Sequence, residues 1–144
     1  MYTPSHFSPT SVSVDLGALA HNLAYVRRLA PASDVLAVVK ANAYGHGAVE
    51  VTRGLQRLAV SRCAVATVDE GLALRQAGIH DDIVVMGATV PAQFSDLVAH
   101  RLTPVLFRAD MVQAFAVKVP PAAGPYPVHI KIDTGMGRLG LSVP

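Results

Sequence analysis

Two hydrophobic rhythms alternate along this chain. Short apolar runs at residues 35–39, 63–68, 83–86, 104–107 and 128–132 predict five strands. Between them the apolar positions recur at helical spacing. Ala48, Val51, Leu55 and Leu58 share one face, and Met111, Ala114 and Phe115 begin another from about Asp110. Ahead of the first strand, Asp15 is placed to cap a helix through Ala30, with Leu19, Leu23, Val26 and Ala30 on one side and Pro31 closing it. Thr67 or Asp69 opens the next helix and Gly78 stops it; Thr89 and Pro91 open the one after. Residues 120–125, with three prolines and a glycine, predict a loop. A strand–helix alternation with short connections predicts parallel pairing through helical crossovers, an α/β fold with no interdomain linker.

The last predicted strand is polar on one side. In Val128-His129-Ile130-Lys131-Ile132-Asp133 the alternation is strict, so Val128, Ile130 and Ile132 face packed helices while His129, Lys131 and Asp133 face the other way. The first strand is different, because its apolar run 35–39 leads directly into Lys40 and then Ala-Asn-Ala-Tyr-Gly-His-Gly. A lysine where an apolar strand opens into a loop can be partly desolvated, which makes its amine a better nucleophile toward an aldehyde. Lys40 is therefore a Schiff-base candidate, set against the plainer alternative of a stem lying on apolar surface with its head in water. Tyr44 adds a phenolic donor beside it, and Gly45 and Gly47 let backbone approach a ligand closely. The strand–turn–helix order puts Lys40 and Tyr44 at a strand's carboxyl end, where α/β folds carry their sites.

Composition narrows the remaining classes. The net charge is +2 with the twelve Lys and Arg scattered, so no basic stripe points to nucleic acid. No apolar run approaches the roughly 18 residues of a membrane span. The amino terminus has no secretory pattern, which favours a cytoplasmic location. Cys63 is the only cysteine, so no internal disulfide forms, and the six dispersed histidines offer no metal site.

The segment Ala37-Val38-Val39-Lys40-Ala41-Asn42-Ala43-Tyr44-Gly45-His46-Gly47 resembles the cofactor-lysine signature of bacterial alanine racemases. His129-Ile130-Lys131-Ile132-Asp133-Thr134-Gly135-Met136-Gly137-Arg138-Leu139-Gly140 resembles a later motif of the same family, in the expected order. The resemblance implies a partial (β/α)8 TIM barrel of about five parallel strands, since a closed one needs eight strands and typically about 250 residues. It implies that residues 13–144 form the first half of a barrel domain binding pyridoxal 5′-phosphate. Residues 1–12 would be an extension packing on a C-terminal β domain outside this sequence. A sheet cut after five strands leaves two unpaired edges, so the isolated chain is expected to be marginal in stability.

The same resemblance implies roles. Lys40 would be the catalytic lysine, carrying the cofactor and acting as one base. Tyr44 would stand on the cofactor's phosphate side. Arg138 would contact the cofactor's phenolic oxygen and the substrate carboxylate, and Lys131 would be the position often found as a carbamate beside that arginine. The second base would be a tyrosine from the partner subunit of a homodimer. None of Tyr2, Tyr25, Tyr44 and Tyr126 matches that position, so the chain alone is expected to be inactive or nearly so. The implied activity is interconversion of L- and D-alanine, with no metal, nucleic acid or membrane involved. Alternatives are a cofactor-binding homeostasis barrel without racemase activity, a racemase for other amino acids, or a truncated frame or interaction piece.

Overall fold

The computed structural model describes residues 12–142. The expected amino-terminal extension, apart from Val12, lies outside them. The chain divides into two compact units, one ending at Ser33 and one beginning at Asp34.

The first unit contains helix α1 (Leu16–Leu29). Its start is chemical: the Asp15 carboxylate accepts hydrogen bonds from the N–H groups of Gly17 at 2.7 Å and Ala18 at 3.2 Å, satisfying donors that have no partner inside the helix. Arg27 and Arg28 sit in the last turn, where exposed carbonyls favour positive charge. Of the expected apolar face only Leu23 is fully buried.

The second unit is the α/β body. Its elements run β1 (Ala37–Val38), α2 (Lys40–Tyr44), α3 (Ala48–Arg57), β2 (Arg62–Val65), α4 (Val68–Gln76), β3 (Asp82–Val85), α5 (Phe94–Ala99), β4 (Leu102–Leu106), α6 (Ala109–Ala116) and β5 (His129–Ile130). Short 3-10 turns at Pro91–Gln93 and Pro121–Ala123 occupy the two Pro-containing connections. All five strands pair in parallel and in sequence order, β1-β2-β3-β4-β5. That unreversed order is barrel winding, because a doubly wound open sheet switches direction at an inner strand. The observed architecture is thus a partial (β/α) barrel.

The register sorts the residues of each strand onto two faces. Cys63, Ile83 and Leu102 form one row, and Val65, Val85 and Pro104 the next; all are essentially inaccessible. Helices cover this side: Gly71 of α4 lies so close to Leu102 that an added Cβ would meet its methyl group at 3.0 Å. Phe94, Phe115 and Tyr126 stack edge to face at 5.3 and 5.4 Å, fastening α5 and α6 to the segment before β5. Ala64, Val84 and Val105 form a second, inner cluster with Met86 against it.

Three strands are shorter than the apolar runs that predict them, one because its backbone torsions change and two because their hydrogen bonds go elsewhere. Val39 leaves extended geometry at φ −118°, ψ 19° to enter α2, although its N–H still reaches the Ala64 carbonyl at 2.8 Å. β2 stops at Val65 because the N–H groups of Ala66 and Thr67 turn to the Glu70 carboxylate. β5 stops at Ile130 because Lys131 divides its backbone between two partners, donating to Leu106 and accepting from Leu141. The chain then continues as β6 (Ile132–Asp133), paired with β7 (Leu141–Ser142). Ile130 and Ile132, expected against helices, are 48% and 44% exposed at this last strand.

Candidate active site

The turn after β1 has the wrong hand. Ala41, Asn42, Ala43 and Tyr44 all lie at φ between 50° and 55°, so α2 is one turn of left-handed helix built from non-glycine residues. Each such residue costs about 1–2 kcal/mol relative to the right-handed form, so something must hold the turn in place. Four contacts do. The Ala41 N–H donates to Glu70 Oε1 at 2.7 Å, and the Ala48 N–H donates to Asn42 Oδ1 at 2.8 Å. His46 Nδ1 lies 2.8 Å from the Ala43 carbonyl, and the Gly47 N–H reaches the Asn42 carbonyl at 2.9 Å. Gly45 at φ 89° and Gly47 at φ 88° then carry the chain into α3, a backbone path that side-chain-bearing residues rarely take.

The second motif is folded by its aspartate and its glycines. Asp133 Oδ1 accepts the N–H groups of Gly135 at 3.0 Å and Gly137 at 3.1 Å, curling the loop 134–140 back on itself. Those two bonds, Gly135's first, hold the Asp133 carboxyl below its usual titration range. Gly140, at φ 138°, packs directly on the backbone of Ile132 and Asp133 with no room for a Cβ. β7 can therefore lie beside β6, and the loop delivers Arg138 and Leu139 to the carboxyl ends of the strands.

Lys40, Ala66, Met86, Gly87, Lys131, Arg138 and Leu139 line one hollow of about 280 Å³. Three of the seven are cationic and none is acidic, a lining that favours an anionic ligand. Gly87 permits the close approach there: its N–H donates to the Ala66 carbonyl at 3.0 Å, and a Cβ at this position would collide with that oxygen. Tyr44 is outside this lining and 60% exposed. Two larger hollows have different chemistry. One of about 350 Å³ is apolar, around Phe115, Val119 and Tyr126. The other, of about 380 Å³, contains Arg62 and Asp82 already paired at 3.5 Å, with His129 beside them.

Of the four residues singled out in the sequence, the fold thus gathers Lys40, Lys131 and Arg138 around one space and leaves Tyr44 beside it. Glu70 and Asn42 are not among those four. Thr67-x-x-Glu70 has the spacing of a capping box, and the box forms, with the Glu70 N–H reaching Thr67 Oγ1 at 3.3 Å. Nothing in that spacing reveals the further reach to Ala41. Among the described residues no cluster of His, Cys, Asp and Glu could hold a metal ion, and no helix is long and apolar enough to cross a membrane.

Residues 14–143 match the family model described as alanine racemase, N-terminal domain. An alanine racemase of Geobacillus stearothermophilus is 44% identical over 135 residues, covering 92% of this chain and 34% of that protein. One from Carboxydothermus hydrogenoformans is 41% identical over 132 residues, covering 92% and 36%. Among solved structures, alanine racemase of Clostridium difficile 630 in complex with cycloserine superposes at a TM-score of 0.83 and 35% identity, over 88% of this chain and 35% of that one. A histidine racemase from Leuconostoc mesenteroides superposes at 0.80 and 28% identity, over 88% and 34%. The chain spans about a third of the length of the curated relatives it matches.

Proposed function

The chain belongs to the alanine racemase family, as its N-terminal domain, and on that premise we propose that it supplies the cofactor-lysine half of a pyridoxal 5′-phosphate-dependent site interconverting L- and D-alanine. The observation that carries the reading is the meeting of Lys40, Lys131 and Arg138 around one acid-free hollow at the strand ends. The donor set fits the cofactor: a primary amine for its aldehyde, a permanently charged fork for its phenolic oxygen, and cationic surroundings for a molecule of net negative charge. When bound, pyridoxal phosphate supplies an electron-withdrawing ring that stabilises negative charge at the substrate's Cα.

This chain's residues do the rest. Lys40 holds the cofactor and, once released by substrate, its amine moves a proton at Cα on one face. Arg138 orients the substrate carboxylate against the phenolic oxygen, and Tyr44 donates on the phosphate side. Inversion needs a second base on the opposite face, assigned to a tyrosine of a second copy in a homodimer. Lys131, as a carbamate formed when its amine adds carbon dioxide and loses a proton, would turn a cation beside Arg138 into its counter-ion. The cellular role in this reading is supply of D-alanine for peptidoglycan, in the cytoplasm.

Reduction with borohydride in the presence of pyridoxal phosphate, followed by peptide mapping, tests the assignment. Label is expected on Lys40; label on another lysine with Lys40 clean would overturn it. Intact mass of the chain in bicarbonate is expected to include one added carbon dioxide, and an unmodified Lys131 would remove the carbamate. The histidine racemase neighbour favours a second reading, a racemase for another amino acid. Comparing alanine, serine, lysine and histidine as substrates in the complete protein separates the two.

A further inference from the structure

We propose that Glu70 is the positioning residue of Lys40, the side chain that fixes the left-handed turn from which the lysine projects. Its carboxylate binds two separate strand–helix connections at once. Oε1 accepts the Ala41 N–H at 2.7 Å, and Oε2 accepts the N–H groups of Ala66 at 2.7 Å and Thr67 at 3.2 Å. The Ala41 N–H belongs to the peptide that immediately follows Lys40, so this bond sets the direction in which the lysine leaves the backbone. Ala66, held by the other oxygen, lines the same hollow as Lys40 and carries the carbonyl on which Gly87 rests. One carboxylate thereby ties the lysine's peptide to the end of the adjoining strand, which lines the same hollow.

The need for such a tie follows from the backbone. Left-handed geometry at four successive non-glycine residues is unfavourable by itself, and the Ala41 N–H takes no other partner in the turn's own hydrogen bonds. A neutral amide cannot replace the acid, because N–H groups on both sides of the carboxylate must be met by acceptors, and Gln offers one acceptor oxygen and an NH2 group that only donates. The capping box alone does not explain Glu70 either, since the box uses only its contacts with Thr67 and leaves the bond to Ala41 outside it.

The proposal rests on Lys40 as the cofactor lysine, and the test separates the two claims. The full chain, E70Q, T67A and E70Q/A41G are incubated with pyridoxal phosphate and reduced after timed intervals across a range of pH. Label on the Lys40 peptide is quantified against Lys118, with circular dichroism reporting the fold. E70Q is expected to slow labelling of Lys40 roughly tenfold, the size of one lost charged hydrogen bond, with Lys118 unchanged. T67A, which removes the helix cap and leaves the Ala41 bond, is expected to keep nearly the original rate. Glycine adopts the left-handed region freely, so A41G in the E70Q background is expected to recover much of the loss. In the unmodified chain, the Ala41 amide is expected to exchange with solvent roughly a hundredfold more slowly than in a free peptide. Labelling of folded E70Q at the original rate, equal slowing by T67A, or unprotected exchange at Ala41 would each overturn the positioning role. Absence of label from Lys40 in the unmodified chain would instead remove the lysine assignment, and this proposal with it.

Discussion

Gly87 rests on the carbonyl oxygen of Ala66, with its own N–H donating to that oxygen at 3.0 Å and no space for a Cβ between them. Substitution G87A forces either Gly87 or Ala66 to move, and both line the hollow that contains Lys40. Overpacking of this kind costs about 1–3 kcal/mol. The urea midpoint of G87A should fall accordingly with an unchanged slope, and reductive labelling of Lys40 should slow; an unaltered midpoint would show that the contact yields without strain.

Asp133 makes stability depend on pH in a calculable direction. Its carboxyl is held below the ordinary range by the N–H groups of Gly135 and Gly137. A depressed folded-state value means the unfolded chain binds the proton more readily, so the contribution is complete above the unfolded value near 3.9 and is lost as pH falls through the lower, folded value. D133N keeps an acceptor oxygen and removes the charge. Its deficit in urea midpoint against the unmodified chain should be present at neutral pH and shrink below about pH 4. A deficit of constant size through that interval would contradict the assignment.

Arg75 holds two loops, α4–β3 and α5–β4, with one guanidinium, donating to the carbonyls of Ile79, Asp81, His100 and Arg101 at 2.7 to 2.8 Å. Lysine lacks the planar fork to serve four directions. R75K should lower stability by about 2–3 kcal/mol, measured by urea unfolding, because it leaves several of these carbonyls without a donor. A shift within error would mean that water replaces the guanidinium at no cost.

Cys63 is buried on β2, and its thiol is pushed up to about 11, chiefly by burial and then by the negative charge of Asp81. The thiolate is the reactive form, so iodoacetamide at pH 8 should leave Cys63 intact in the folded chain and modify it once urea unfolds the sheet. Rapid modification under native conditions would show that β2 opens locally.

The winding of the fold is legible in the sequence because apolar runs of strand length are followed by helix-spaced segments, as residues 35–39 are by Ala48, Val51, Leu55 and Leu58. The three site residues Lys40, Lys131 and Arg138 are legible only as motifs; their meeting depends on register and on Gly140, which no local pattern encodes. The left-handed turn is illegible for a different reason. Ala41, Ala43 and Tyr44 are ordinary right-handed residues by propensity, and the contacts that override them include one to a partner 29 positions away, Glu70. Helix ends were easier, since Asp15 and Thr67 act on neighbours two or three residues distant.

That backward-wound turn also dictates an order of assembly. A segment whose local preference opposes its final geometry cannot serve as a folding nucleus, and it gains its form only after β2 and the start of α4 have docked beside β1. A conservative change such as A41G should therefore leave the folding rate almost untouched and act on unfolding, a φ-value near zero in stopped-flow kinetics. The lysine's surroundings would then be the last part of this sheet to form and the first to come apart.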